Sequence, residues 1–180
     1  SVLMLYSANA ETQHNLRQEA AARGVEPGRL VFGGPIGTAH HLARLRLCDL
    51  FLDSAPYNAH TSGSDALWVG LPVLSCAGRT FPSRVGASLL HAVGLPELAT
   101  DSFEAYEALA VRLATAPGLL SALRQRLLAN LSTAPLFDVA RYTRHLEAAY
   151  GQMVARARNG QAPAAFAVAR EQITPQSPPG

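Results

Sequence analysis

The sequence predicts an α/β fold built on a parallel, doubly wound sheet with helices at its carboxyl-terminal end. Three observations predict it. From residue 2 to about residue 94, apolar runs of roughly three to five residues alternate with helical patterns of roughly eight to fourteen. Glycines stand where those helical patterns stop, at Gly24, Gly70 and Gly94. Beyond Asp101 the apolar period is helical throughout. Strand–helix alternation on this scale gives parallel strands joined by right-handed crossovers, and ligands of such sheets bind beyond the carboxyl ends of the strands.

Taken in order, Val2 to Tyr6 reads as a buried strand, and Asn9 or Thr12 caps a helix that runs to about Arg23. Pro27-Gly28 turns the chain into a second strand, Leu30 to Phe32. The loop Gly33-Gly34-Pro35-Ile36-Gly37-Thr38 leads to a helix from about Ala39 to Arg46. Leu50 to Leu52 is the third strand, and a loop and helix follow it as far as Gly70. Pro72 to Ser75 is the fourth strand, and a glycine-bearing loop precedes a helix near Pro82 to Val93. Three apolar stripes then mark core-facing helices: Phe103, Tyr106, Ala110 and Leu113; Leu120, Leu123, Leu127 and Leu131; and Val139, Tyr142, Leu146, Tyr150 and Met153. From Asn159 the composition shifts to Gly, Pro, Ala and Gln, which reads as an extended or disordered tail. The organisation expected is a sheet core over residues 1–100, a helical part of the same lobe over 101–158 and a tail over 159–180.

Composition narrows the function classes. With 48% apolar and 16% charged residues among 180, the chain buries a core of ordinary size. A net charge of +2 without clustered basic residues argues against a nucleic-acid surface. All fifteen basic residues are arginine, so lysine is excluded as a phosphate ligand or Schiff-base nucleophile in these residues. Cys48 and Cys76 form no disulfide framework, and a reducing cytoplasm is the expected setting. No run of eighteen apolar residues and no basic-then-apolar leader occur, so neither membrane association nor secretion is expected. Because Val2 already reads as strand, the chain is expected to be a downstream piece of a longer protein.

The stretch Tyr57 to Gly70 carries the chemistry. A strand, a small-polar loop and a helix present unpaired helix amides to an anion, with His60, Thr61 and Ser62 at those first amides. Gly63 leaves room for close approach of a ligand, and Asp65, one turn in, stands where it accepts from a sugar hydroxyl. The alternative is plain helix capping by Asn58, Thr61, Ser62 and Asp65, since the glycine fingerprint of a P-loop is missing. On the second helix, His41 offers a flat ring to a base and Arg44 a charge to a diphosphate; a solvated polar helix start is the competing reading. Arg79 and Arg84 stand near the same sheet edge, or are plain surface charge. His40, His41 and His60 lack zinc spacing, no Asp-x-Asp is present, and Cys76 reads as a buried thiol, not a nucleophile.

The string from Leu52 to Val73, with His60-Thr61-Ser62-Gly63, Asp65 and Leu67-Trp68, resembles the nucleotide-sugar site of the protein O-GlcNAc transferases. The likeness continues through Ser83-Arg84-Val85, Ala87-Ser88, Gly94, Tyr106-Glu107, Pro135 to Phe137, Tyr142, Leu146-Glu147, Tyr150 and Met153, and spans about residues 2–158. The all-arginine composition suggests a bacterial member. The resemblance implies a Rossmann-like, carboxyl-terminal, donor-binding lobe of a glycosyltransferase-B fold. It implies an inverting, metal-independent transfer of N-acetylglucosamine from UDP-N-acetylglucosamine to Ser or Thr hydroxyls of protein acceptors, with UDP released and no cofactor. By position, His60, Thr61 and Ser62 match residues around the diphosphate, and Asp65 the ribose acceptor. His41 and Arg44 match residues near uracil and ribose, and Ile36-Gly37-Thr38 the loop whose backbone reads the uracil edge.

Thr38 stands where family members often carry Lys, which drops a charge, and Ser62 replaces a more usual Thr while keeping the hydroxyl. The family's diphosphate-contacting Lys and Gln, its acid–base residues and its helical repeats are expected upstream of Ser1, with the amino-terminal lobe as partner. No catalytic base is named within the 180 residues, and the chain alone is expected to bind UDP weakly and catalyse nothing. A related lobe using another donor or acceptor, and a UDP-sugar-binding module without turnover, stay open as alternatives.

Overall fold

The computed structural model describes residues 1–169 and divides into two compact units, Ser1–Asp49 and the chain from Leu50 onward. The parallel α/β class is the one expected, and its strands form a two-stranded and a three-stranded parallel sheet.

In the first unit, β1 (Leu3–Tyr6) pairs in parallel with β2 (Leu30–Gly33), Leu3 opposite Leu30 and Tyr6 opposite Gly33. The helix between them, α1 (Ala10–Ala22), starts at Asn9, whose side chain accepts from the amides of Glu11 and Thr12. Asn9, not Thr12, is therefore the cap. Arg17 of α1 lays its guanidinium over the Phe32 ring, 4.7 Å from the centroid, which ties the helix to β2. The second helix, α2 (Thr38–Leu45), follows β2 after a short loop. β1 is not the buried strand expected: Leu3 and Tyr6 are 41% and 69% exposed. Its one partner among the described strands is β2, and a two-stranded sheet leaves part of its side-chain surface without cover.

The second unit is built around β4 (Val73–Cys76), all four of whose residues are buried. β3 (Phe51–Leu52) and β5 (Ala99–Thr100) flank it in parallel, Leu52 opposite Leu74 and Cys76 opposite Thr100. β5 was not foreseen; two residues after a 3₁₀ turn (Pro96–Leu98) present no alternating pattern to read. The helices α3 (Thr61–Trp68) and α4 (Val85–Ala92) connect the strands. Leu67, Leu71, Leu74, Leu90, Leu95 and Leu98 are almost fully buried and, with Leu113 and Leu127, form the core. Gly70 and Gly94, at φ +79° and +76°, end α3 and α4 in the left-handed region that only glycine enters cheaply. α4 begins at Val85 and not at Pro82, because the Ser83 hydroxyl donates to Thr80 O and accepts from Thr80 N, closing a separate turn.

Three helices complete the described chain: α5 (Phe103–Thr115), capped by Ser102, α6 (Pro117–Asn130), and α7 (Val139–Arg158), capped by Asp138. The first two stripes supply Leu113, Leu123 and Leu127 to the core, although Phe103 is exposed. The third does not: Val139, Tyr142, Tyr150 and Met153 are all more than half exposed. α7 packs on the 3₁₀ turn Pro135–Phe137 at its start, and these four stripe residues stay largely open among the described residues. Of the tail expected over 159–180, Asn159 and Gly160 close the end of α7 in a turn, residues 161–169 have no regular structure, and residues 170–180 lie outside the described residues. Among the described residues no helix is long and apolar enough to cross a membrane.

Candidate functional site

In the first unit, Ile36 and Gly37 lie in the exposed loop after β2, and Thr38 opens α2. Gly37 is the residue before the helix, and its carbonyl accepts from His41 N at 3.0 Å. His41 and Arg44 occupy one face of α2, one turn apart. Arg44 Nη1 donates to Gly34 O at 3.2 Å and Nη2 lies 3.2 Å from His41 Nδ1. A guanidinium only donates, so His41 Nδ1 is the acceptor and the ring's other nitrogen carries the proton. Gly33 makes the arrangement possible, since a Cβ there would stand 2.3 Å from Arg44 Nη1. Arg44 therefore braces the loop and orients the histidine beside it.

In the second unit the candidates sit at the carboxyl edge of the sheet, where β3 runs into α3. His60 is the residue before α3 and makes no capping hydrogen bond through its side chain. Ser64 N is the first helix amide to bond, to His60 O at 3.0 Å. Among the described residues, the amides of Thr61, Ser62 and Gly63 and the hydroxyls of Thr61 and Ser62 have no partner. The half-buried Asp65 carboxylate accepts nothing from the described chain either. The plain capping alternative is thus not what the chain does: Asn58 is 1% exposed and donates to Ser54 O and Cys76 O, away from the helix amides. Gly63 is buried against α4, where a Cβ would meet Leu89 at 3.2 Å, so the missing side chain also serves helix packing.

The His60 ring is clamped by neighbours. It stacks on Tyr57 with centroids 4.9 Å apart and meets the edge of Phe81 at 6.1 Å. Its Nε2 is shielded and has no hydrogen-bond partner among the described residues. Phe81 and Pro82 belong to the loop after β4, and Asn58 N donates to Pro82 O at 3.0 Å, so the loops after β3 and β4 are joined at this edge. Arg79 and Arg84 are exposed on the same loop, and Cys76 is a buried thiol in β4.

Sequence reasoning missed the groups behind the loop. Asp53 is 5% exposed and accepts from Ala59 N and Ser75 Oγ, both at 2.6 Å, while its own carbonyl accepts from Tyr106 OH at 3.0 Å. Burial pushes the Asp53 carboxyl above its ordinary range, against the hydrogen bonds from Ser75, Ala59 and Ser54 and the charge of His60, which pull it down. Burial, then the neighbouring Asp53 and Cys76, push the Tyr106 hydroxyl up to about 12. A signal was present: an acidic residue directly after an apolar strand, and a serine inside another, are both out of place in a plain core. Among the described residues no group of three or more His, Cys, Asp or Glu side chains is arranged to hold a metal ion.

The family model of glycosyl transferase family 41 matches residues 1–146. A UDP-N-acetylglucosamine–peptide N-acetylglucosaminyltransferase of Caenorhabditis elegans is 34% identical over 160 residues, 89% of this chain and 14% of that protein. A probable enzyme of the same description, SEC of Arabidopsis thaliana, is 37% identical over 169 residues, 93% of this chain and 17% of that one. Among solved structures, a mutant of the Thermobaculum terrenum O-GlcNAc transferase superposes with a TM-score of 0.83 at 31% identity, covering 88% of this chain and 31% of that chain. The chain thus spans less than a fifth of the length of these two curated relatives. The match over most of its residues places the fold with the glycosyltransferase-B architecture of that transferase, and the chain belongs to glycosyl transferase family 41.

Proposed function

We propose that this chain is the donor-binding part of a glycosyltransferase that moves N-acetylglucosamine from UDP-N-acetylglucosamine to Ser or Thr hydroxyls of proteins. The observation that supports it most is the open start of α3: three unpaired amides, the free hydroxyls of Thr61 and Ser62 and the free carboxylate of Asp65, in a family-41 chain. Helix-end amides and hydroxyls suit a diphosphate, and a carboxylate one turn further suits a ribose hydroxyl. The relatives' names add the donor and the peptide acceptor to this reading.

In this reading His60, Thr61 and Ser62 serve the diphosphate and Asp65 the ribose. In the first unit, the backbone of Ile36, Gly37 and Thr38 reads the uracil edge, while His41, oriented by Arg44, lies near uracil and ribose. Transfer leaves negative charge on departing UDP, which fixed amides and hydroxyls stabilise without rearranging, in the place a metal would otherwise take. The inversion belongs to this reading through the family resemblance, as direct displacement by the acceptor hydroxyl. The acid–base groups and the acceptor-binding surface belong to other parts of the longer protein, including an amino-terminal lobe, and the setting is cytoplasmic. The isolated chain binds UDP weakly and transfers nothing.

A crystal of the chain soaked with UDP tests this directly. Density for the diphosphate at the Thr61 and Ser62 amides is the expected result, and a nucleotide lodged away from Thr61 overturns it. Sugar transfer by the isolated chain would falsify the assignment of turnover to the longer protein. Donor competition in that protein separates UDP-N-acetylglucosamine from another donor.

A further inference from the structure

Asp53 directly follows β3 at the carboxyl edge of the sheet, and β4 and α4 make room for its side chain. Ser75, fully buried in the central strand, donates to Oδ2 at 2.6 Å. Gly86 of α4 carries no side chain where a Cβ would stand 2.2 Å from Ser75 Oγ and 2.6 Å from Asp53 Oδ2. The remaining oxygen, Oδ1, accepts from Ala59 N at 2.6 Å, and Tyr106 of α5 donates to the Asp53 carbonyl. Burying a carboxylate is costly, and an apolar pair of the same volume fills such a space at least as stably. Its return lies in what it holds. Ala59 immediately precedes His60, and His60 precedes the three open amides of α3.

We infer that Asp53 is a positioning residue for the anion cradle at the start of α3, fixing Ala59 so that the Thr61–Gly63 amides and the Thr61 and Ser62 hydroxyls keep one arrangement before the ligand arrives. The inference rests on the reading of that helix start as the diphosphate end of the site. The brace is short, charge-assisted and shielded from water, the conditions under which one hydrogen bond holds a loop most firmly. Donors fixed in advance spare the ligand the cost of ordering them. Asn58 works beside it, its side-chain amide donating to Ser54 O and Cys76 O.

The experiment uses the 180-residue chain with Asp53→Asn and Ser75→Ala. Affinities for UDP and for uridine are measured by calorimetry, and exchange of the Ala59 amide by NMR. Each variant is expected to lose roughly tenfold in UDP affinity, the scale of one charge-assisted hydrogen bond, while uridine affinity stays within about twofold. Ala59 exchange is expected to speed up while the core amides of β4 stay protected. A merely structural role lowers both affinities alike, together with the melting temperature, and overturns the assignment. So does an unchanged preference for UDP over uridine in variants whose parent shows that preference. A parent chain without the preference overturns the diphosphate reading itself, and the role of Asp53 falls with it. Should Asp53→Asn fail to fold, Ser75→Ala, which keeps the carboxylate and removes one of its two donors, gives the same readout.

Discussion

Arg44 Nη2 lies 3.2 Å from His41 Nδ1, and through Nη1 the same guanidinium holds the carbonyl of Gly34 at 3.2 Å. One side chain thus sets both the tautomer of a histidine and the course of the loop before its helix. In Arg44→Met the ring loses its donor, and ¹⁵N shifts of His41 are expected to change from an Nε2-protonated form to a tautomer mixture. Gly33→Ala is expected to act the same way at a distance, because its Cβ stands 2.3 Å from Nη1 and displaces the guanidinium. The displaced group is the end of a flexible side chain, so stability should fall by about 1 kcal/mol, the low end of the cost of overpacking. An unchanged His41 spectrum in both variants refutes the brace.

The hydroxyls of Thr61 and Ser62 separate stability from binding. Both residues are exposed and neither hydroxyl has a partner among the described residues. Thr61→Val and Ser62→Ala should therefore leave the unfolding free energy within about 0.5 kcal/mol of the parent. If the diphosphate is bound at the α3 amides, each variant still loses affinity for UDP, by roughly tenfold or more for a hydrogen bond to a charged acceptor. Equal UDP affinity in both variants removes these hydroxyls from the site.

The chain order of strands and helices and the open start of α3 were legible because each has a local cause. A glycine with positive φ stops a helix, and a small-polar loop before one leaves its amides bare. The supports of the site were not legible. Asp53 follows β3, Ser75 lies in β4 and Gly86 in α4, up to 33 positions apart in sequence (86 − 53), and only folding reveals their shared volume. Burial misled in the other direction. The stripe on α7 and the run in β1 are apolar, yet a period states which face is apolar and not that this chain covers it.

Tyr106 gives a pH test. Its folded pKa is raised to about 12 from 10.0, chiefly by burial. A raised acid is less willing to ionise folded than unfolded, so its contribution to stability is complete below pH 10 and is lost as pH rises through about 12. Absorbance titration should show one late-ionising tyrosine, absent in Tyr106→Phe. That variant also frees the Asp53 carbonyl, and its stability should decline less steeply above pH 10. Asp53, raised for the same first reason, adds a loss in the acid range: its contribution is complete below the ordinary carboxylate value of 3.8 and fades as pH climbs through its elevated folded value. Parallel pH–stability curves for parent and Asp53→Asn through that window count against the burial argument.

The helices after β5 provide a contrast within one architecture. Leu127 of α6 is fully buried, and Tyr142 of α7 is 65% exposed, although both belong to stripes of the same period. Truncating Leu127 to Ala removes packed methyl groups and leaves a cavity, which costs about 2–5 kcal/mol. Truncating Tyr142 to Ser removes a ring that already meets water, so the unfolding free energy should move by less than about 0.5 kcal/mol. Denaturant melts of the two variants decide the matter, read at constant m-value so that a changed unfolded state is not mistaken for a changed fold. A loss at Tyr142 as large as at Leu127 means that something covers α7 in solution, and light scattering on the same samples then shows whether a second copy of the chain provides that cover.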